Sequence, residues 1–315
     1  VGVTQVLKNL SNNYRNLMWW RQIIIKYAPK VVYRKKDGFS VLSENWDHLI
    51  ILDACRFDVF SEEIKKSVLY KKGKLEYRIS NGSMTLEFLS ENFGEGVFNE
   101  IVYITANPFV DMLLKNKFYK IISVWKDGWD NNLNTVHPRT VYEYTKLSIK
   151  KYSDKRFIIH FMQPHFPYLT LKLAEETGFA KHREAVLQGA MKWKDKTVWD
   201  LVEEGRIPLE VVVQAYRKNL EIALKYVEKL VKILDGKIVI TSDHGEAFGE
   251  KFHPMIPIKV YGHPKNVRID ALVKVPWFVI NKPKKKIVND EKQKLSIAIS
   301  KFLQKNLSLV KPPQT

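Results

Sequence analysis

The stretch Lys237-Ile-Val-Ile-Thr-Ser-Asp-His-Gly-Glu246 constrains this chain most. Its short apolar run, Ile238-Val239-Ile240, predicts a fully buried strand. The run ends in two hydroxyl residues, followed by Asp243, His244 and a glycine. An open α/β sheet binds its ligands at the carboxyl ends of its strands. A carboxylate oxygen beside an imidazole nitrogen is a metal-ligand combination. On these ten residues alone, a turn-capping Asp243 and a surface His244 weigh as much as a metal or catalytic site.

The same logic recurs upstream. His48-Leu-Ile-Ile-Leu52 predicts a buried strand that delivers Asp53 at its end. Arg56 and Asp58 follow. An acid that holds a cation and an arginine that holds an oxyanion belong together chemically. Asp58 opens the helical pattern of residues 59–66, where a carboxylate suits the helix N-terminus. Cys55 reads as a small packed residue. Leu75 to Ser80 predicts a strand and Leu86 to Phe93 a helix, with Asn81-Gly-Ser-Met-Thr85 between them. A hydroxyl there faces the positive end of a helix, so Ser83 or Thr85 is either an N-cap or a nucleophile. No capping box decides between the two, because Leu86 and Phe88 stand three residues on.

Further strand-like runs are 100–105, 120–125 and 272–280. Helical periodicity marks 140–151, 213–234 and 290–307. Arg156 to His160 predicts a buried strand running into Phe161-Met-Gln-Pro-His-Phe-Pro-Tyr168. Two prolines frame His165 more rigidly than His160, which makes it the better candidate for aiming an imidazole. After Asp243-His244 a loop carrying His253 leads to Tyr261-Gly-His-Pro264. Strands alternating with helices point to an α/β protein, a three-layer α/β/α sandwich with a largely parallel central sheet.

Residues 1–45 are basic and aromatic, with Met18-Trp-Trp-Arg-Gln-Ile-Ile-Ile-Lys-Tyr27 at their centre. They are expected to form a peripheral helix ended by Pro29, with contact to an anionic membrane surface as the alternative. Residues 46–310 form the main domain, and 170–210, without clear periodicity, read as an insertion that covers the site. Lys+Arg outnumber Asp+Glu by 52 to 34, a formal charge of +18. That favours anionic partners, though lysines spread over many segments also describe an ordinary solvated surface. No zinc-finger, RNP-like or helix-turn-helix pattern supports nucleic-acid binding. One cysteine allows no intrachain disulfide and fits a reducing compartment. No apolar run of about 18 residues and no signal-peptide pattern is visible. The expected location is the cytoplasm, with membrane association left open.

Taken together, Leu52-Asp-Ala-Cys-Arg-Phe-Asp58, Asn81 to Thr85, His160 to Tyr168, Thr241 to Glu246 and Tyr261-Gly-His-Pro264 followed by Arg268 and Val275-Pro276 resemble the sulfatase-like branch of the alkaline phosphatase superfamily. The likeness in order and spacing covers about residues 46–282 and leaves out both ends. It implies a divalent ion (zinc, manganese, magnesium or calcium) held by Asp53, Asp243 and His244, with the nucleophile oxygen as a further ligand. His244 argues mildly against calcium. Thr85 is the first choice for that nucleophile because it lies closest to the helix start, and Ser83 is the second. His165 and His263 would bind the ester's oxygens or protonate the leaving group, and Arg56 would hold an oxyanion or brace the loop. The Cys/Ser-x-Pro-x-Arg stretch of sulfatases is missing: Cys55 is followed by Arg56-Phe57-Asp58-Val59, and Ser83 by Met84-Thr85-Leu86-Glu87. The resemblance therefore implies a hydrolase or transferase of phosphate-type esters acting through a covalent intermediate. A sulfuric ester hydrolase is the first alternative, and a basic membrane- or polyanion-binding protein with a decayed site the second. Gln163 stands where an acid is often found, so one metal site is expected and a second is doubtful. Ser242 and Glu246 are expected to support the ligands without binding the ion themselves.

Overall fold

The structure, a computed structural model, describes residues 11–13, 15–33, 38–173, 183–184, 186–188 and 196–284. Its centre is a seven-stranded sheet. A short pair, β5 (Trp129–Asp130) and β6 (Thr135–Val136), and a hairpin, β9 (Ala247–His253) and β10 (Ile256–Gly262), stand apart from it. The strands of the sheet itself are β1 (His48–Leu52), β2 (Lys74–Ile79), β3 (Phe98–Thr105), β4 (Phe118–Ser123), β7 (Arg156–Phe161), β8 (Lys237–Thr241) and β11 (Lys274–Asn281). They lie in the order β2-β11-β8-β1-β7-β3-β4. Pairing is parallel from β8 through β1, β7 and β3 to β4. Strand β11 runs antiparallel to both β8 and β2. The expected three-layer α/β/α architecture with a largely parallel sheet is thus the one observed.

Strand β1 is buried along its whole length, and its neighbours β7 and β8 are buried apart from their first residues. This is why their sequences read as continuous apolar runs without alternation. Helix α1 (Pro138–Lys151) packs on β7 and β3, and the long helix α2 (Leu209–Ile233) packs on α1. Helix α3 (Thr85–Phe93) closes the other face with Phe93, whose ring meets those of Tyr103 and Phe118 edge-on. The register of β1 against β7 and β8 aligns Leu52 with Phe161, and Ile51 with Thr241. All three strands therefore end at one rim, and the residues that follow them converge there.

Three sequence expectations need correction. The stretch after His244 is a hairpin of β9 (Ala247–His253) and β10 (Ile256–Gly262) rather than an irregular loop. Pro29 does not end helical structure. The helix over Leu17–Tyr27 gives way to a further turn, Pro29–Val32, which Pro29 opens at its first position, where its missing N–H costs nothing. The run 120–125 divides into β4 and a short helix, Val124–Asp127.

The N-terminal helix rests on the hairpin. Ile24, Ile25, Ala28 and Val32 pack against a cluster containing Phe252 and Val260. Arg21 Nε donates to the Lys259 carbonyl at 2.8 Å and its guanidinium pairs with Glu203. Leu17, Trp20, Tyr27 and Val31 remain exposed. Within 170–210, a capping box of Thr197 and Asp200 starts a helix at Val198–Glu203, and Trp199 is buried against Phe248. Residues 174–182, 185 and 189–195, Trp193 among them, lie outside the described residues, as does the helix expected over 290–307. No described helix is long and apolar enough to cross a membrane.

Candidate functional site

The rim at the carboxyl ends of β1, β7 and β8 collects the polar residues. Asp53, Asp243 and His244 are essentially without solvent exposure. Their ligand atoms all lie within 4.8 Å of one another. His244 Nε2 is 3.6 Å from Asp53 Oδ1 and 3.4 Å from Asp243 Oδ2. Each is held by groups the fold supplies. Asp243 Oδ1 accepts from the backbone N–H of Ala54 at 3.1 Å and of His244 at 2.9 Å. His244 Nδ1 bonds the Gly245 carbonyl at 2.7 Å, which directs Nε2 inward. Asp53 Oδ2 accepts from Asn107 Nδ2 at 2.7 Å, while its Oδ1 is buried without a hydrogen-bond partner.

The turn after β1 is built to make these bonds. Ala54 takes φ = 58°, a conformation that a residue with a Cβ rarely adopts. The Tyr216 hydroxyl donates to the Ala54 carbonyl at 2.7 Å and accepts from Arg56 N at 2.9 Å, clamping the turn. Ser242 ties the two strand ends together: its hydroxyl donates to the Leu52 carbonyl at 2.6 Å and accepts from Cys55 N at 2.8 Å. Gly245 has no room for a side chain, since a Cβ there would lie 2.0 Å from the Ala271 carbonyl oxygen.

Thr85 is the first residue of α3, and its N-cap, Met84, offers no side-chain cap. The Thr85 hydroxyl does not cap the helix. It donates to Asp243 Oδ2 at 2.8 Å and lies 3.2 Å from His244 Nε2. The Ser83 hydroxyl points elsewhere, to Glu87 Oε2 at 2.9 Å and the Pro264 carbonyl at 3.0 Å. Of the two hydroxyls left open by the sequence, the structure brings only Thr85 to the Asp53–Asp243–His244 group.

A second group lies beside the first. Ligand atoms of His165, Glu246 and His263 also fall within 4.8 Å of one another. His263 Nδ1 bonds Glu246 Oε1 at 2.8 Å, and Glu246 Oε2 is buried without a partner. The His263 ring is 4.6 Å from that of His244 and 5.0 Å from that of His165, centroid to centroid. The loop carrying His165 is fastened at both ends. His165 N donates to the Asp53 carbonyl at 3.1 Å, and Asn219 Nδ2 on α2 reaches the carbonyls of Pro164, His165 and Pro167 at 3.2–3.4 Å. Gln163, also buried, turns away and donates to the Val136 carbonyl at 3.1 Å. The carboxylate of this group is Glu246, which the sequence suggested only as a supporting residue.

Arg56 is engaged as a brace. Its guanidinium bonds both oxygens of Asp58 at 2.9 and 2.6 Å, the Glu246 carbonyl at 3.0 Å and the Glu250 carboxylate, and it lies 4.3 Å over the Phe248 ring. It ties the β1 turn to the β9 hairpin. Cys55 is fully buried, and burial pushes its thiol well above its ordinary value, as befits a packed residue.

The electrostatics follow from burial and crowding. Burial, then the neighbouring charge of Asp243, raises Asp53 well above the usual carboxylate range. Burial acts on Asp243 in the same sense, but His244, His160 and the Thr85 hydroxyl outweigh it, so Asp243 is lowered. Burial pulls His263 down, and the Glu246 carboxylate more than reverses this, leaving the imidazole above its ordinary value. Two buried carboxylates that repel one another, one of them with an orphaned oxygen 3.6 Å from the His244 imidazole, form a group that could hold a metal ion. The donor set fits a divalent ion.

Sequence reasoning missed Asn107 and named Glu246 only as a supporting residue. Asn107 stands two residues after the end of β3, at the same rim as Asp53 after β1, and that position near a strand end was the available signal. Glu246 carried no signal beyond its nearness to His244.

No family model and no curated protein sequence matches the chain. Among solved structures, it is similar to the integral membrane lipooligosaccharide phosphoethanolamine transferase A of Neisseria meningitidis, with 12% identity and a TM-score of 0.47 over 73% of this chain and 47% of that one. It is also similar to the C-terminal periplasmic domain of EptC from Escherichia coli in complex with zinc, with 14% identity and a TM-score of 0.47 over 80% and 77% of the two chains. A putative sulfatase from Bacteroides thetaiotaomicron gives 11% identity and a TM-score of 0.44 over 78% and 67%. The chain spans about half the length of the first of these. At such identities the likeness concerns the fold alone.

Proposed function

We propose that this chain is a metal-dependent hydrolase or transferase of phosphate-type esters that uses Thr85 as its nucleophile. The observation that carries this reading is the Thr85 hydroxyl, 2.8 Å from Asp243 Oδ2 and 3.2 Å from His244 Nε2 at the first residue of a helix. Asp53, Asp243 and His244 would hold the ion, with Thr85 Oγ1 as a further ligand. When bound, a divalent ion there lowers the pKa of a hydroxyl and polarises the ester.

The chain's own residues supply the rest. Asp243 Oδ2 accepts the Thr85 proton as Oγ1 forms a bond to phosphorus, and the bond from phosphorus to the leaving oxygen breaks. His263, whose proton the Glu246 carboxylate favours, gives its Nε2 proton to that leaving oxygen. Water or an acceptor alcohol then attacks the phosphothreonine, giving its proton to His263 Nε2 as the bond from phosphorus to Thr85 Oγ1 breaks, and the proton held by Asp243 returns to Thr85. His165, facing His263, binds a non-bridging oxygen. The N-terminal end of α3 adds a favourable field for the anion. The basic excess of the chain suits an anionic ester substrate.

Hydrolysis of p-nitrophenyl phosphate, bis-p-nitrophenyl phosphate and p-nitrophenyl sulfate by wild type, Thr85→Ala and Ser83→Ala tests the assignment. Phosphate-ester turnover is expected in wild type and Ser83→Ala and is expected to be lost in Thr85→Ala. Full activity in Thr85→Ala removes Thr85 from the mechanism, and turnover of the sulfate alone removes the phosphate class. Elemental analysis of the purified chain counts the ions: one per chain supports the Asp53 group only, and two place a second ion in the His165–Glu246–His263 group.

A further inference from the structure

Behind the acidic pair stands a histidine that the mechanism above does not use. His160 lies on β7, next to β1, and has no solvent exposure. Its Nδ1 is 3.0 Å from the Tyr103 hydroxyl. Its Nε2 has no hydrogen-bond partner and lies 3.7 Å from Asp53 Oδ2 and 4.0 Å from Asp243 Oδ2. We propose that His160 and Tyr103 form a positioning pair that orients Asp53 for metal binding. This rests on the reading of Asp53 and Asp243 as metal ligands.

The tautomer follows from the surroundings. A neutral imidazole donates from one nitrogen and accepts at the other. Burial pushes Tyr103 well above its ordinary value, so it keeps a proton to give. If the Tyr103 hydroxyl donates to Nδ1, the hydrogen of His160 sits on Nε2 and faces two carboxylate oxygens. The opposite tautomer turns a lone pair on the same two oxygens and is repelled.

The geometry separates this role from that of a ligand. His244 faces Asp53 Oδ1 at 3.6 Å, whereas His160 faces Oδ2. Asn107 also holds Oδ2. With Asn107 donating to Oδ2 and the His160 N–H facing it, the orphaned Oδ1 is the atom left to meet a cation. The 3.7 Å gap exceeds a hydrogen bond by roughly 0.7 Å, a distance that rotation of the carboxylate can close. Groups that hold the far oxygen of a ligand fix its direction, and removing one typically weakens metal affinity about 10- to 100-fold.

The experiment is zinc and manganese affinity by chelator competition, measured on the folded full chain as wild type, His160→Ala, His160→Gln and Tyr103→Phe. Thermal unfolding without metal is recorded alongside. His160→Ala is expected to bind metal about 10- to 100-fold more weakly. His160→Gln returns an N–H near the position of Nε2 and is expected to recover at least half of that loss on a logarithmic scale. Tyr103→Phe, which frees the tautomer, is expected to lose several-fold. Affinity within twofold of wild type in His160→Ala overturns the proposal, as does a Gln variant no better than Ala, which marks His160 as packing alone. If His160→Ala does not fold, Tyr103→Phe decides, and unchanged affinity there overturns the pair. A wild type that binds neither ion sinks both this proposal and the metal reading it rests on, whereas metal binding indifferent to His160 sinks only this one.

Discussion

The two ends of the central strands treat their polar residues in opposite ways. At the amino end, Asp47 precedes β1 and has both oxygens bonded: Oδ2 accepts from Lys237 N at 2.7 Å, and Oδ1 pairs with Lys284 at 2.6 Å. The Asp47 backbone also pairs with Lys237 and Phe157. At the carboxyl end, Asp53 Oδ1, His160 Nε2 and Glu246 Oε2 are all buried without partners. Leaving such groups unmade costs about 1–3 kcal/mol each. One end of the same strands bonds its carboxylate fully, and the other holds unsatisfied groups. His48 blurs this division, because its Nδ1 is buried and unpartnered at the amino end.

The contrast breaks most sharply on activity. Asp243→Ala and Thr85→Ala are expected to lower phosphate-ester turnover by about 10³-fold or more. Thr85→Ala removes one hydrogen bond, to Asp243, and its metal-free unfolding temperature is expected to stay within a few degrees of wild type. Asp243→Ala also leaves the buried N–H groups of Ala54 and His244 without their acceptor and is expected to cost stability as well. A large loss of stability in Thr85→Ala would erase the distinction between the two ends.

His48 supplies the next largest effect, on stability alone. Burial pushes it down to about 4 in the folded chain. The unfolded chain binds its proton at an ordinary pKa near 6.5. Between those values the unfolded state holds more protons, so stability contributed by neutral His48 is full above pH ~6.5 and lost as pH falls through about 4. The loss is about 3 kcal/mol. Urea midpoints between pH 7 and 4 should flatten in His48→Gln relative to wild type, with unchanged turnover at pH 7. An equal pH slope in the two proteins would remove His48 as the cause.

Glu246→Gln sharpens the carboxyl end. It removes the charge that raises His263, so turnover of an alkyl phosphate should fall about 10- to 100-fold. p-Nitrophenyl phosphate, whose leaving group needs little protonation, should be affected far less. Equal losses on both substrates would assign Glu246 to positioning or metal binding instead. The smallest effect is expected from Asp47→Ala, about 1–2 kcal/mol of stability, read as a urea midpoint, with turnover intact.

What could be read from the chain depended on how local each signal was. The parallel core was legible because strands covered on both faces need continuous apolar runs, and β1, β7 and β8 have them. Asp53, Asp243 and His244 were legible because a strand end places the next residues at the rim. The β9–β10 hairpin was hidden: its strands, Ala247–His253 and Ile256–Gly262, are half-exposed and mix glycine, lysine and proline with apolar residues. Glu246 was hidden because its partners, His263 and His165, come from segments far away in sequence.

The sequence by itself determined the architecture and the acid-histidine end of β8, since both follow from local periodicity and chain direction. It left the choice between Ser83 and Thr85 open, because a hydroxyl at a helix start looks the same as a cap or as a nucleophile. Only the tertiary structure decided which hydroxyl meets Asp243. The start of α3 and the end of β8 are brought together by sheet order, a long-range property that no local stretch of residues encodes.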